Sequence, residues 1–167
     1  MKLFVTVGST GFDDLVNEAT TSEFLSNIYA LGFTSLLIQY GSSKKVFLKN
    51  MDNYKKDQVD IQGYDYKPFI DQDIQAADMV ISHSGSGTIL QALRMKKKLI
   101  VIVNDSLLDN HQAELAQAMA VKQYVIYGDI RDLSNTVKKA TTQKLDIFPD
   151  PNPTLFASTL NKTMGFI

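Results

Sequence analysis

Two short runs of glycine, serine and threonine are the residues of this sequence best suited to bind an anion. The first, GSTG at 8–11, follows the apolar run 3–7; the second, SGSGT at 84–88, follows the apolar run 78–82 and precedes a helix-like stretch. Glycine lets the backbone approach a ligand closely, and free N–H groups at the start of a helix attract negative charge. Open α/β sheets bind ligands at their carboxyl edge, so two such turns there favour a diphosphate. Ordinary tight strand-to-helix turns are the alternative.

A second polar stretch, 103–115, is suited to bind sugar hydroxyls. It combines neutral amides, carboxylates and a histidine: Asn104, Asp105, Asp109, Asn110, His111, Gln112 and Glu114. Hydroxyl groups both donate and accept hydrogen bonds, and these side chains can do the same between them. Thr88 and Gln91 lie three residues apart and share one helix face, so a ligand could extend from phosphate to ribose along this edge. A capped, solvent-exposed helix start explains the same composition.

Three other kinds of site fit less well. A nucleophile elbow needs Gly-x-Ser-x-Gly, but the glycines of 85–87 are too close together, and the adjacent His83 and Ser84 side chains point to opposite sides. A dinucleotide site needs G-x-G-x-x-G and an acidic residue after the second strand, where this chain has Gln39. The DQD at 71–73 resembles a metal motif but is more typical of helix capping. We therefore predict no metal site and no cofactor.

Six short apolar segments rich in β-branched residues predict strands. They are 3–7, 35–40, 59–64, 78–82, 98–103 and 124–127. Helix-like stretches separate them, which is the pattern of a parallel sheet with helices on both faces, an α/β Rossmann-like fold. Two of the segments, 78–82 and 98–103, are apolar without alternation, as expected of central strands buried on both sides.

Three further stretches yield more specific predictions. Thr20 and Glu23 have the spacing of a capping box for a helix that Gly32 would close. Residues 108–120 have the composition of a strong helix, with Asp109 or Asn110 as its cap. The basic and polar stretch 42–57 predicts a mobile loop with a helical turn.

Length and composition limit the classes of protein to which the chain can belong. At 167 residues and 44% hydrophobic content the chain suits one domain with a proper core, and its net charge of −1 gives no electrostatic footprint for nucleic acid or an anionic membrane. There is no cysteine, there are two histidines, and the N-terminus lacks the pattern of a signal peptide. Apolar runs reach five residues at 99–103, far from the ~20 that span a bilayer. A soluble, cytosolic protein is expected.

The composition changes near the C-terminus, which divides the chain into a domain, 1–148, and a tail, 149–167. Three prolines within five positions of 149–153 predict a stiff linker, and Phe156, Leu160 and Met164 then form one apolar stripe of a short amphipathic helix. The stripe could pack on its own domain or dock on a partner, and the sequence leaves both open.

Three segments carry a resemblance to a known family. They are LFVTVGSTGFDDLV, PFIDQDIQAADMVISHSGSGTILQAL and KLIVIVNDSLLDNHQAELA. Over roughly residues 2–145 the chain resembles the cytosolic subunits of the dolichyl-pyrophosphate N-acetylglucosamine (GlcNAc) transferase, which performs the second step of N-glycan lipid precursor assembly. It is more distantly similar to the carboxyl half of the bacterial transferase that adds GlcNAc to the peptidoglycan lipid precursor.

The resemblance implies the C-terminal half of a GT-B glycosyltransferase, the half that holds the nucleotide sugar. It also implies transfer of GlcNAc from UDP-GlcNAc to dolichyl-pyrophosphate-GlcNAc, with inversion and without a metal. The missing half is then expected to be a membrane-anchored partner subunit that recruits this chain to the cytosolic face of the endoplasmic reticulum. A non-catalytic nucleotide-binding or regulatory α/β module is the alternative.

The resemblance also implies roles for individual residues. It assigns the UDP diphosphate to Gly8, Ser9, Thr10, Ser84, Gly85, Ser86, Gly87 and Thr88, the uracil to the backbone at Phe69 and Ile70, and the sugar to Asn110, His111 and Gln112. Gln91 takes the position of an acidic ribose contact in relatives, and its amide can still bond ribose hydroxyls, less strongly than a carboxylate. His111 is the local candidate for a catalytic base, although the base is expected from the partner.

Overall fold

The computed structural model describes residues 1–52, 54, 58–104, 111–152, 154 and 162, and it forms an α/β fold around one parallel sheet. Within these residues the sheet has six strands: β1 (Lys2–Thr6), β2 (Ser35–Gln39), β3 (Asp60–Tyr64), β4 (Met79–His83), β5 (Lys98–Ile102) and β6 (Ile126–Gly128). Their order in the sheet is β3-β2-β1-β4-β5-β6. All six predicted strands are confirmed, with ends that differ by one or two residues.

The helices cover both faces of the sheet. They are α1 (Asp13–Glu18), α2 (Ser22–Ala30), α3 (Lys44–Met51), α4 (Asp71–Ala76), α5 (Ser86–Arg94), α6 (His111–Val121) and α7 (Leu133–Thr142). One core cluster joins α1, α2, α3 and α7 to one face, and a second joins α4, α5 and α6 to the other. Within β1, Leu3 and Val5 point into the first cluster and Phe4 into the second, as the alternation of a strand requires.

The sheet order places β1 and β4 side by side at its centre. The chain builds β1, β2 and β3 outward in one direction, then returns to start β4 beside β1 and builds β5 and β6 in the other. Such a reversal leaves a crevice at the carboxyl ends of the two central strands, where ligands bind in this class of fold. The two glycine turns follow β1 and β4, so both open into this crevice.

Two local predictions within residues 20–57 are wrong. The stretch 42–57 is not a mobile loop at its start, because a 3-10 turn at Gly41–Ser43 leads directly into α3. The sequence of this helix resembles that of a loop, because half of its residues are polar and Phe47 is its one buried residue. The N-cap of α2 is Thr21, whose hydroxyl accepts from the Phe24 N–H at 3.1 Å, and not Thr20.

Thr20 and Gly32 lie on either side of α2. The Thr20 hydroxyl donates to the carbonyl of Val16 at 2.7 Å, so it closes the helix before α2 and does not cap α2 itself. Gly32 has φ +91°, the conformation that closes α2, and this prediction is confirmed.

Several predictions concern residues outside the described part of the chain. These include the caps Asp109 and Asn110 and the stripe formed by Phe156, Leu160 and Met164. The tail 149–167 therefore stays a prediction. Among the described residues, none of the helices has the length and apolar character that crossing a membrane requires.

Candidate functional site

Both glycine turns line one cavity of about 460 Å³ at the carboxyl ends of β1 and β4. Its lining consists of Gly8, Ser9, Thr10, Tyr66, His83, Ser84, Gly85, Ser86, Gly87, Thr88 and Leu115. The fold thus brings together all eight residues that the sequence assigned to a diphosphate. Sequence reasoning did not assign Tyr66, His83 and Leu115 to the site, and it singled out His83 only as a neighbour of Ser84.

The first turn is held by close backbone packing against Gly41. Gly8 and Gly11 have φ of +67° and +84°, which allows the chain to fold back sharply after β1. A Cβ atom on Gly41 would lie 2.4 Å from the Gly8 carbonyl oxygen and 2.9 Å from that of Ser9. The absence of a side chain at Gly41 therefore allows the turn to take its position.

Two serine hydroxyls fix the same turn from the loop that follows β2. The Ser42 hydroxyl donates to the carbonyl oxygen of Thr10. The N–H of Phe12 donates to Ser43 Oγ at 2.9 Å, which satisfies a free amide just before α1. The loop 41–43 thus supports the first turn. Its sequence, GSS, gives no sign of this role, because the residues in contact are about thirty positions apart in the chain.

The second turn lines the cavity and leads directly into helix α5. Gly85 occupies the N-cap of α5, and the first helical hydrogen bond runs from the Ile89 N–H to the Gly85 carbonyl at 3.1 Å. The amides of Ser86, Gly87 and Thr88 precede that bond and have no partner within the helix. With the helix dipole behind them, they form an environment that stabilises an anion.

No Asp, Glu, Lys or Arg is found among the described residues that line the cavity, so the polar groups they offer are backbone amides, hydroxyls and one imidazole. Burial lowers the pKa of the His83 imidazole from the usual 6.5, which favours its neutral form. Its Nδ1 lies 3.3 Å from the carbonyl oxygen of Thr6. Since a carbonyl only accepts, Nδ1 carries the hydrogen.

The state of His83 predicts how stability depends on pH. The folded protein holds this imidazole neutral at pH values where the unfolded chain already binds a proton, so unfolding takes up that proton. The free energy of unfolding is therefore expected to fall as pH drops below about 6.5. Urea unfolding at pH 7.5 and 5.5 measures this change, and His83→Asn is the control because asparagine takes up no proton in this range. If the wild-type protein loses no more unfolding free energy between these pH values than the variant does, the lowered pKa of His83 is contradicted.

The residues predicted to bind uracil and ribose lie near the cavity but are not in its lining. Phe69 is 81% exposed in the loop between β3 and α4, and Ile70 is the N-cap of α4. Tyr66, from the same loop, does line the cavity. Gln91 is half-buried on α5, one turn beyond Thr88.

The predicted sugar contacts lie at the start of α6. His111 and Gln112 are the first two residues of this helix, and their description is confined to the backbone. Asn110 lies outside the described residues. Leu115, one turn into α6, lines the cavity, so the N-terminus of this helix is close to it.

The DQD stretch has a structural role, but the predicted helix capping is wrong. Helix α4 begins at Asp71, and its N-cap is Ile70, which makes no side-chain cap hydrogen bond. Asp73 instead accepts from the Tyr64 hydroxyl at 2.6 Å and from Lys67 Nζ at 3.0 Å. Among the described residues, no group of three or more histidines and carboxylates is placed to hold a metal ion.

A second cavity, of about 390 Å³, lies at the opposite edge, where β5 begins. Two of the four lysines that line it donate to backbone carbonyls. Lys97 Nζ donates to those of Gln75 and Ala77, at the end of α4, at 2.6 and 2.9 Å, and Lys98 Nζ donates to that of Thr141 in α7 at 3.2 Å. The carboxyl-edge cavity, which both glycine turns line, is the candidate site.

Comparison with known proteins agrees with this fold. The model of the glycosyltransferase family 28 C-terminal domain matches residues 2–163. The chain is 30% identical over 172 residues to the UDP-N-acetylglucosamine transferase subunit ALG13 of Yarrowia lipolytica, covering 100% of this chain and 86% of that protein. It is 36% identical over 132 residues to the Homo sapiens protein of the same name, covering 79% of this chain but 11% of the human protein's length.

Solved structures give the same result. The NMR structure of an ALG13 protein superposes with a TM-score of 0.69 at 30% identity, covering 97% of this chain and 96% of that one. The crystal structure of Acinetobacter baumannii MurG superposes with a TM-score of 0.62 at 13% identity, covering 85% of this chain and 41% of that one, a likeness of fold alone. The chain therefore belongs to the glycosyltransferase family 28 C-terminal domain family and, within it, to the ALG13-type UDP-N-acetylglucosamine transferase subunits.

Proposed function

We propose that this chain is the donor-binding and catalytic subunit of a two-subunit transferase that moves GlcNAc from UDP-GlcNAc to dolichyl-pyrophosphate-GlcNAc. One observation carries the proposal: two glycine turns, with the free amides of α5 in one of them, line a single cavity at the carboxyl edge. That arrangement suits the pyrophosphate of a nucleotide sugar, and the relatives are named as UDP-N-acetylglucosamine transferase subunits.

The donor would extend in both directions from the pyrophosphate. Its ribose would reach Gln91 along α5, and its uracil would meet the backbone at Phe69 and Ile70, with Tyr66 beside it. Its sugar would lie at Asn110, His111 and Gln112. The neutral, partly apolar lining of the cavity supports this placement, because it strengthens each amide–phosphate hydrogen bond.

The reaction we propose is a direct displacement. A hydroxyl of the acceptor sugar attacks the anomeric carbon of the α-linked donor, a β linkage forms, and UDP leaves. Negative charge grows on the β-phosphate as the bond breaks, and amides already aimed there stabilise the transition state more than the ground state. These amides would take the part that a metal ion plays in other transferases. The base is assigned to the partner, with His111 as a sugar contact.

The partner in this proposal is a membrane-anchored subunit that supplies the acceptor side of the cleft. Support comes from the word subunit in the relatives' names and from the size of the matched domain, 41% of the MurG chain. We propose that the complex lies on the cytosolic face of the endoplasmic reticulum, where the acceptor lipid would be available to the soluble donor.

Calorimetric titration tests the donor site. UDP-GlcNAc and UDP are titrated into the chain alone and into its mixture with the membrane partner, with UMP as the matched ligand that lacks the second phosphate. UDP is expected to bind about tenfold or more tightly than UMP, because each hydrogen bond to a charged phosphate oxygen contributes ~1.5–3 kcal/mol. Equal affinities for UDP and UMP, or no binding of UDP even with the partner, would refute the proposal.

A further inference from the structure

The imidazole of His83 lies between the two glycine turns. A Cβ atom on Gly8 would come within 2.8 Å of His83 Cε1 and 3.0 Å of Nε2. A Cβ atom on Gly85 would come within 2.6 Å of Nε2 and 3.0 Å of Cε1. One glycine from each turn thus contacts the same edge of one ring.

The ring is fixed in this place from the neighbouring strand. His83 is the last residue of β4, and its Nδ1–H donates to the carbonyl of Thr6, the last residue of β1, at 3.3 Å. The two strands pair directly, with Thr6 opposite Ser82. The ring therefore bridges the strand ends from which the two turns emerge.

Three glycines of the site differ in whether their backbone or their neighbours exclude a side chain. Gly8 has φ +67°, a conformation that other residues rarely adopt. Gly85 has φ −66° and ψ 121°, which any residue adopts, so its backbone does not require glycine and the His83 ring does. Gly87 meets nothing within 4 Å in the described structure, so neither its backbone nor its neighbours exclude a side chain.

We propose that His83 is a positioning residue: its ring sets the separation of the two turns, so that residues 8–10 and 84–88 can hold the two phosphates of one pyrophosphate. This inference rests on the proposed donor site and adds to it a determinant of diphosphate over monophosphate binding. A smaller side chain lets the turns approach each other, and a Cβ on Gly85 forces the ring or the turn to move.

The test is a comparison of UDP and UMP affinities by calorimetry in His83→Asn. Asparagine retains an N–H that can donate to Thr6 but not the width of the ring. The variant is expected to lose about tenfold or more in UDP affinity, the equivalent of one charge-assisted hydrogen bond, and much less in UMP affinity. A general loss of structure lowers both affinities together, and unchanged UDP affinity overturns the inference.

A double-mutant cycle with Gly85→Ala gives a second, independent measurement. If the added methyl group acts by displacing the ring, Gly85→Ala weakens UDP binding on its own but adds no further loss in the His83→Ala background, so the effects are non-additive. If the methyl group blocks the ligand directly, the losses add and the inference is wrong. Should Gly85→Ala fail to fold, the His83→Asn comparison decides the question.

Failure of the inference differs from failure of the proposed function. A wild-type chain that does not bind UDP, alone or with its partner, refutes the donor site and the inference with it. A wild-type chain that binds UDP more tightly than UMP, with His83 variants that do the same, leaves the donor site in place and removes His83 from its positioning role.

Discussion

Replacing Gly87 with valine is expected to abolish UDP binding and transferase activity while leaving the domain folded. A Cβ on Gly87 would meet nothing within 4 Å in the described structure, so the added side chain enters the cavity instead of the protein core. It would occupy the space next to the amides of Ser86 and Gly87 where we place the pyrophosphate. Losing two hydrogen bonds to phosphate, each ~1.5–3 kcal/mol, lowers affinity by about a hundredfold or more.

The stability of this variant separates a blocked site from a damaged fold. Gly87 lies within α5, where valine has a higher helix propensity than glycine by a few tenths of a kcal/mol, so the free energy of unfolding is expected to be unchanged or slightly raised. Leu90→Val is the matched control, because it places the same side chain at a 40% exposed position of the same helix, outside the cavity lining. Calorimetry measures the UDP affinity of both variants, and urea unfolding measures their stability. Wild-type UDP affinity in Gly87→Val would remove the start of α5 from the site.

Local sequence patterns were sufficient to predict the sheet and the turns. The strands are short apolar runs bounded by polar residues, and the glycine turns follow two of them directly, so both features are contained within about ten consecutive residues. The interior position of β4 and β5 follows from the same patterns, since the runs 78–82 and 98–103, apolar without alternation, must be covered on both faces. The glycine turns after β1 and β4 then mark the carboxyl edge at which the site lies.

Long-range contacts could not be predicted in the same way. The supports of the first turn come from Gly41, Ser42 and Ser43, about thirty residues away along the chain, and the bond from His83 to Thr6 joins residues 77 apart. A single sequence carries no record of which glycine packs against which carbonyl. The helix at 44–51 was missed for a different reason, because half of its residues are polar and three of them are lysine, so its composition resembles that of a loop.

The contact at Gly41 leads to a prediction in which stability and binding fall together. Gly41→Ala places a methyl group 2.4 Å from the carbonyl oxygen of Gly8, 2.9 Å from that of Ser9 and 3.0 Å from the Gly11 nitrogen, and backbone atoms cannot rotate away as a side chain does. Overpacking of this kind costs ~1–3 kcal/mol, and a left-handed backbone at φ +53° adds ~1–2 kcal/mol for a residue with a Cβ. The variant is therefore expected to lose about 2–5 kcal/mol of unfolding free energy, out of the ~5–15 kcal/mol typical of a domain.

Gly32→Ala is the control that isolates the contact from the conformational cost. Gly32 also has a positive φ, +91°, but a Cβ there would meet only Met1 Cε at 3.6 Å, an ordinary van der Waals distance. This variant carries the backbone cost without the clash, and it lies at the end of α2, far from the turns that line the cavity. Urea unfolding should show Gly41→Ala less stable than Gly32→Ala by about 1–3 kcal/mol, and UDP titration of the folded fractions should show weakened binding in Gly41→Ala alone. Equal losses of stability, with wild-type UDP affinity in both variants, would mean that the first turn can shift without consequence. The loop 41–43 would then be a neighbour of the donor site and not its support.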